Sequence, residues 1–215
     1  MTVPSLCGRE GARQDVPHLD SAYETAMPDT LSKWHTEHVN FAKLLNLLDA
    51  ELDLFHKGES PNYELMLDIM FYMTHYPDVL HHPREDLAFA KIKARDKSAG
   101  ATVDELSEQH AQLRRIGEEL VSGLSDIVNG SIASRESVET PGRAYVENFR
   151  SHMRTEEKEI LPVAAKLLRD EDWAEIVAAI AHIDDPLFGA AAEKRYAAIH
   201  RQIARQAQAA KAASR

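Results

Sequence analysis

The sequence predicts an all-α protein in which four helices enclose a common core. Four segments repeat apolar residues at the three- and four-residue spacing of an amphipathic helix. Glycine and proline number only nine each among 215 residues, and most of the prolines fall where a helix would start or bend. A chain of this length can bury a core within one domain and still carry extensions.

The first two helices are delimited by capping residues and a glycine. Asp29 or Thr30 can cap the first helix, which is expected to end near Gly58. Ser60 and Pro61 have the residue types of an N-cap and a first helical position, so they are expected to open the second helix.

Proline and capping patterns also shape the next helices. Pro77 and Pro83 lie inside the second helix, which is expected to bend there because an interior proline removes a backbone hydrogen bond. Thr102 and Glu105 form a capping box that predicts the start of the third helix. The fourth helix is expected to begin near Thr140 or a few residues earlier.

Two further segments flank the four helices, which span residues 29–168. Residues 1–28 hold proline and glycine without sustained periodicity and are expected to form an N-terminal extension. Residues 169–215 are expected to form accessory helices, a short one ending near His182 and an Ala-rich one from about 187 to 213. The last helix is rich in arginine and is expected to pack along the acidic bundle or to mediate a homodimer.

The composition disfavours nucleic acid and membranes as partners. The formal net charge is −10, which repels phosphate backbones and anionic lipid surfaces. No apolar run approaches the roughly 18 residues that a membrane helix needs, and the first residues lack the apolar stretch of a secretory signal. One cysteine, Cys7, offers no intrachain disulfide. We therefore expect a cytoplasmic protein.

Two copies of one short motif point to the chemistry: His81-x-x-x-Glu85 and His152-x-x-x-Glu156. A histidine and a glutamate four residues apart lie one above the other on a helix, so each copy offers an imidazole and a carboxylate to the same point. In both copies, the histidine and the glutamate occupy positions at which the apolar repeat of the helix would place its next core residues. They are therefore expected to face the core.

His38 and His110 occupy core-facing positions of the first and third helices. A single histidine there is more often a hydrogen-bonded core residue than a ligand. Here, however, six polar residues fall on the core-facing stripes of four helices, meaning the rows of residues that recur every three or four positions. Two buried carboxylates are costly unless a cation lies between them. Imidazole and carboxylate suit iron, and also manganese or zinc, whereas a lone cysteine excludes a thiolate site. The predicted metal ligands are His38, His81, Glu85, His110, His152 and Glu156.

These motifs resemble those of bacterial hemerythrin-like proteins of the HHE cation-binding class. The resemblance covers roughly residues 29–168, and its most specific segments are Tyr76-Pro77-Asp78, His81-His82-Pro83-Arg84-Glu85-Asp86 and His152-Met153-Arg154-Thr155-Glu156-Glu157. It implies an antiparallel up-down four-helix bundle, with extra C-terminal helices in this chain, around a non-haem pair of iron ions. By the same resemblance, Glu85 and Glu156 bridge the two irons together with an oxo or hydroxo group, and iron is favoured over zinc or manganese.

The chain departs from the invertebrate oxygen carriers of this class in its third helix. Those proteins place a second histidine four residues from the first, where this chain has Arg114 and Leu106. One iron would therefore lack a histidine. His82 is expected to pair with Asp86 or to face solvent. The candidates for the vacant position are water, His35, Tyr72, His75 and Tyr76.

The predicted centre indicates binding of O2 or a related small oxidant, such as NO or peroxide, for sensing, storage or scavenging. Two alternatives stay open: a di-iron redox enzyme with ferroxidase, NO reductase or peroxidase-like activity, and a structural or iron-responsive metal-binding module. The chain contains no Glu-x-x-His, the motif of ferritin-like proteins, which disfavours that class but leaves turnover undecided. A redox partner is expected, and the sequence does not identify it.

Overall fold

The computed structural model describes residues 29–180, 183–190 and 192–213. The N-terminal extension, with Cys7 and His18, and the expected helix end at His182 lie outside these described residues. Within them the chain forms helices and no strand, which confirms the all-α prediction. No helix in these ranges combines the length and the apolarity that crossing a lipid bilayer requires.

Two π-helical turns join shorter helices into long rods. The α-helices of the described residues are α1 Asp29–His56, α2 Tyr63–Tyr76, α3 His82–Arg95, α4 Gly100–Val128, α5 Glu136–Thr155, α6 Leu161–Leu167, α7 Asp170–Ala179 and α8 Ala197–Ala213. The turns are π1 (Pro77–His81) and π2 (Glu156–Ile160). We call α1 rod A, α2–π1–α3 rod B, α4 rod C and α5–π2–α6 rod D.

The four rods form an up-down bundle. Rods A and C each pack against rods B and D, and short connections reverse the chain between successive rods. Gly58 and Gly130 follow the ends of α1 and α4 with φ of 73° and 90°, a left-handed conformation that glycine adopts at little cost. The start of rods A and C therefore lies at the same end of the bundle as the end of rods B and D.

The observed helix starts correct two predicted caps. Asn62 caps α2 in place of Ser60, because its Oδ1 accepts the Leu65 N–H at 3.0 Å. Asp96 replaces Thr102 ahead of α4, where its carboxylate caps a 3₁₀ turn that leads directly into the helix. Thr102 is therefore already inside α4. The fourth rod begins at Glu136, a few residues before Thr140, as the prediction allowed.

The π1 turn shifts the buried face of rod B by one residue. A π turn holds one residue more than an α turn. If the regular helical repeat of apolar residues is extended through it, the residues assigned to the core on one side of the turn are wrong by one position. The three- and four-residue spacing that includes His81 and Glu85 predicts Leu67 and Phe71 at the core, but both are only half-buried. Their neighbours Met66 and Met70 are fully buried instead. Beyond π1 the predicted face is retained, and Glu85 is buried.

The chain after α7 docks on rod B as a turn rather than as the predicted helix. The Asp185 carboxylate accepts the N–H groups of Leu187 and Phe188, each at 2.8 Å. The same carboxylate accepts the Tyr72 hydroxyl of α2 at 2.9 Å, and Leu187 is fully buried. These bonds hold the backbone in a turn, so helix α8 begins only at Ala197.

Replacing Gly117 with alanine is expected to destabilise the bundle by about 1–3 kcal/mol, the usual cost of overpacking a core. A Cβ there would lie 2.8 Å from Thr74 Cγ2 and 3.2 Å from Tyr145 Cε2. The matched control is Gly123→Ala in the same helix, where the nearest atom is the Ser137 carbonyl oxygen at 4.0 Å. That change should stabilise by up to about 1 kcal/mol, because alanine favours the helix. Chemical denaturation that ranks the two variants equally would contradict the packing argument.

Candidate metal centre

All six predicted ligands lie deep in the bundle at one level of the four rods. None of their residues is more than 4 % exposed. The imidazoles of His38 and His81 approach across rods A and B, with their Nε2 atoms 3.0 Å apart. Those of His110 and His152 approach across rods C and D in the same way, also with 3.0 Å between Nε2 atoms. The centre thus contains two imidazole pairs.

Glu85 of rod B extends between the two imidazole pairs. Its Oε1 lies 3.0 Å from Nε2 of His81, and its Oε2 lies 3.6 Å from Nε2 of His110. The carboxylate therefore directs one oxygen toward each pair.

Glu156 of rod D has the equivalent position from the opposite side. Its Oε2 lies 3.4 Å from Nε2 of His38, and its Oε1 lies 3.1 Å from Nε2 of His152. Among the described residues, none hydrogen-bonds the four oxygens of Glu85 and Glu156. Buried oxygens of this kind require a compensating charge.

A seventh residue, His82, joins the centre. It was expected to pair with Asp86 or face solvent, but it is 1 % exposed and stacks on His110 at 4.2 Å between ring centroids. Its Nδ1 lies 3.0 Å from Oδ1 of Asp78. Arg114, which stands where the carriers have a histidine, donates to the Asp78 carbonyl at 3.0 Å. Ligand atoms converge in two groups that share Glu85: His38, His81 and Glu85, and His82, Glu85, His110 and His152.

The side chains proposed for the vacant position all have other partners. His75 is exposed and stacks on Phe71, so it lies outside the centre. The bonds are His35 with Glu157 at 2.9 Å, Tyr72 with Asp185 at 2.9 Å, His75 with the Phe71 carbonyl at 2.8 Å and Tyr76 with Glu37 at 2.8 Å. Among the described residues, His82 of rod B, and none of these four side chains, converges with His110 and His152.

An acceptor holds the outer nitrogen of four of the five converging imidazoles. The Nδ1 hydrogen bonds are His38 to Glu157 at 2.7 Å, His81 to Glu37 at 2.6 Å, His110 to Asp86 at 2.9 Å and His152 to Gln109 at 3.1 Å. The Nδ1 of His82 lies 3.0 Å from Asp78 but forms no hydrogen bond within the described part of the chain. A proton on Nδ1 leaves the lone pair of Nε2 directed inward, as a metal ligand requires. Facing lone pairs at 3.0 Å repel each other unless a cation or a proton lies between them. Sequence reasoning missed these acceptors, although each stands beside a ligand in the chain or one turn away.

These side chains could hold a metal ion through nitrogen and oxygen, and comparison with known families also indicates cation binding. The model of the hemerythrin HHE cation binding domain matches residues 29–164, which is more than half of the chain. The chain belongs to the hemerythrin HHE family. No curated protein and no solved structure is similar enough to the chain to count as a match. The matched range contains the six residues of the two converging groups, and also Glu156, which belongs to neither group but lies beside His38 and His152.

Protons and cations compete for the ligands of this HHE domain. Burial alone would raise the pKa of Glu85, but His81 and the other imidazoles outweigh it and hold that pKa well below its usual value. Burial likewise opposes a charge on His81, but Glu85 and Glu37 raise its pKa to about 9. Burial lowers the pKa of His82, and the neighbouring His110 adds to that effect. Imidazolium protons therefore balance the carboxylates wherever cations do not.

The metal-free domain is expected to lose stability as the pH rises from about 6.5 to about 9. Folded His81 keeps its proton up to a pKa of about 9, against 6.5 in the unfolded chain. The folded state thus binds more protons in this range, and a higher pH favours unfolding. His110, whose pKa is raised to about 11 against the burial effect, chiefly by Asp86, acts in the same direction. Thermal melts in chelator should show a falling Tm, and a Tm that rises with pH would contradict this.

Proposed function

We propose that this HHE domain is a non-haem di-iron protein that binds O2 or a related small oxidant, such as NO or peroxide. The supporting observation is the unequal division of imidazoles between the two groups, with two in one and three in the other. With one oxygen from each bridging glutamate, the side of His38 and His81 would have fewer protein ligands. That side would leave room for a small molecule.

Mixed imidazole and carboxylate donors suit iron, manganese and zinc. We propose iron because a reduced iron pair, when bound, supplies the electrons that O2 or peroxide accepts, whereas zinc has no redox chemistry. Glu85 and Glu156 would each offer one oxygen to either ion, and the Nδ1 acceptors fix the imidazoles in orientation. The chain thereby prepares the geometry before a ligand arrives.

Apolar rings exclude water from the proposed binding side. Phe41 is fully buried and contacts His81 edge-on, with 5.0 Å between ring centroids. Phe149 is 1 % exposed and packs against Phe41, with 5.9 Å between ring centroids. Dry surroundings favour reversible binding, because water promotes release of the reduced oxidant and leaves the metal oxidised. Sensing, storage and scavenging would all begin from this step. A cytoplasmic location and an external redox partner are part of the proposal.

Metal analysis combined with an optical spectrum tests the metal assignment. Protein as purified should carry about two irons per chain, as expected for a carboxylate-bridged bundle site, with the near-ultraviolet bands of an oxo-bridged ferric pair. Colourless protein holding stoichiometric zinc would contradict the di-iron proposal and favour a structural module.

Gas exchange separates binding from turnover. Anaerobically reduced protein is exposed to O2 and then placed under vacuum, with metal-free protein as the control. Return of the reduced spectrum supports reversible binding. Fast irreversible oxidation with repeated turnover would instead support the redox-enzyme alternative.

A further inference from the structure

The two tryptophans of this chain form a contact pair that reaches the metal centre. Trp34 of α1 and Trp173 of α7 meet edge to face, with 5.6 Å between ring centroids and an interplanar angle of 76°. The Trp34 ring also lies 6.3 Å from that of His81. The pair therefore links an accessory helix to a residue of the centre through two aromatic contacts.

Trp34 differs chemically from the other aromatic neighbours of His81. Phe41 lies closer to His81, at 5.0 Å between ring centroids, but phenylalanine is very difficult to oxidise. The remaining ring contacts of His81 among the described residues are with His38 and His82, which belong to the centre itself. Indole is the most easily oxidised of these side chains. Trp34 is thus the neighbour able to pass an electron.

Trp173 lies just beneath the outer surface of the molecule. It is 6 % exposed in the first turn of α7, and the next residue of that helix, Ala174, is exposed. Two bonds anchor the turn: the Arg95 guanidinium donates to both oxygens of Asp172, at 2.5 and 2.7 Å. This bidentate pair fixes α7 on α3, so the indole has a defined position between solvent and Trp34.

The Trp173 indole has no proton acceptor among residues 29–180, 183–190 and 192–213. Its Nε1 is buried, and the described part of the chain offers it no hydrogen-bond acceptor. An indole in such a site can lose and regain an electron while keeping its N–H bond. The site therefore suits electron transfer without proton transfer.

We propose that Trp173 and Trp34 form an electron relay from the outer face of α7 to His81. The inference rests on the proposed di-iron function. Peroxide, an oxidant that the proposed function already includes, takes two electrons and two protons and becomes water. When it reacts with the ferric centre, these electrons are replaced one at a time: Trp34 gives an electron through His81, Trp173 gives one to Trp34, and a one-electron donor in solution gives one to Trp173. Two donor molecules are oxidised for each peroxide, and both indoles return to their starting state.

The tyrosine pair of rod B is a less direct route and provides a control. Tyr72 and Tyr76 stack with 5.5 Å between ring centroids, but each hydroxyl donates to a carboxylate, Tyr72 to Asp185 and Tyr76 to Glu37. Oxidising either phenol requires its proton to move. Tyr72→Phe therefore replaces an oxidisable phenol that lies off the relay with a phenyl ring of the same shape.

Donor oxidation kinetics test the relay. Iron-loaded ferric protein is mixed anaerobically with hydrogen peroxide and ferrocyanide, and the formation of ferricyanide is followed by stopped flow. Trp34→Phe and Trp173→Phe should each slow ferricyanide formation by about tenfold or more, which corresponds to about 1.4 kcal/mol of barrier. Tyr72→Phe should leave the rate unchanged. If Trp34→Phe fails to load iron, Trp173→Phe, which lies further from the centre, provides the comparison.

Oxidation mapping gives a readout that does not depend on activity. Ferric iron-loaded protein is treated with hydrogen peroxide without donor, and oxidised residues are located by peptide mass spectrometry. We expect oxidation at Trp173 in the wild type, protection of Trp173 in Trp34→Phe, and protection in zinc-loaded protein, since zinc has no redox chemistry.

The outcomes separate the two proposals. Wild-type protein that shows no ferric centre would overturn the di-iron function and the relay together. A ferric wild-type centre with equal rates of ferricyanide formation in all variants would overturn the relay alone. Equal oxidation of Trp173 in wild-type, Trp34→Phe and zinc-loaded protein would also overturn it, because the peroxide would then be attacking the indole directly.

Discussion

Glu85→Gln is expected to weaken the binding of both cations by at least about 100-fold each, since even the loss of an outer hydrogen-bond partner costs about 10–100-fold. The reason is geometric: Oε1 of Glu85 lies beside His81 and Oε2 lies beside His110. Glutamine keeps the volume but removes the charge and replaces one oxygen with an amide nitrogen. Metal analysis after dialysis should show that the bound metal has fallen from about two ions toward none.

Glu147→Gln is the matched control for this change. Glu147 is exposed on α5, so the same loss of charge occurs away from the centre. It should leave metal content unchanged. Full loading of Glu85→Gln would show that the carboxylate is not shared between two cations.

His82→Gln should weaken the binding of only one of the two proposed cations. His82 converges with His110 and His152, whereas the other imidazole group is formed by His38 and His81. Titration with Fe(II) should therefore resolve one site of near-normal affinity and one weakened by at least about 100-fold, the upper end of the range for outer partners.

His75→Gln provides the comparison for His82→Gln on the same rod. His75 is exposed and bonds the Phe71 carbonyl. The titration of this variant should match that of the wild type. Equal loss of both cations in His82→Gln, or no loss, would contradict the division into two groups.

Amphipathic periodicity predicted most of the bundle, because burial selects apolar residues once per turn. Rods A and C follow the predicted stripes: His38 and His110 are buried with their apolar neighbours. Rod D departs from its predicted buried face beyond π2. The apolar spacing predicts that Val163 is buried, but Val163 is half-buried and Ala164 is buried instead. A wider turn changes the phase of the face, and the apolar pattern on either side does not show where that turn lies.

His82 was missed for the same reason. A regular helix separates consecutive side chains by about 100°, so two adjacent histidines are not expected to serve one buried centre. At the end of π1, His81 contacts His38 of rod A and His82 stacks on His110 of rod C. The adjacent rings thus enter different halves of the centre.

The sequence did not predict the carboxylates that hydrogen-bond the imidazoles, because these carboxylates lie outside the core-facing positions of their helices. Glu37 precedes His38 in the chain, and Glu157 follows Glu156. Each is mostly shielded and bonds an imidazole from a different rod, Glu37 to His81 and Glu157 to His38. Sequence spacing within one helix cannot register such contacts, since they depend on how neighbouring rods are aligned.

Which residues of rod B face the core depends more on the number of residues in π1 than on the identity of some of them. Val79 is 57 % exposed, so exchanging it for another side chain removes little packing. Deleting it would convert five residues into an ordinary turn and rotate the segments on its two sides by about 100° relative to each other. Either the methionine face of α2 or the imidazoles of His81 and His82 would then turn away from the core. This stretch should therefore tolerate substitutions far better than single-residue deletions or insertions.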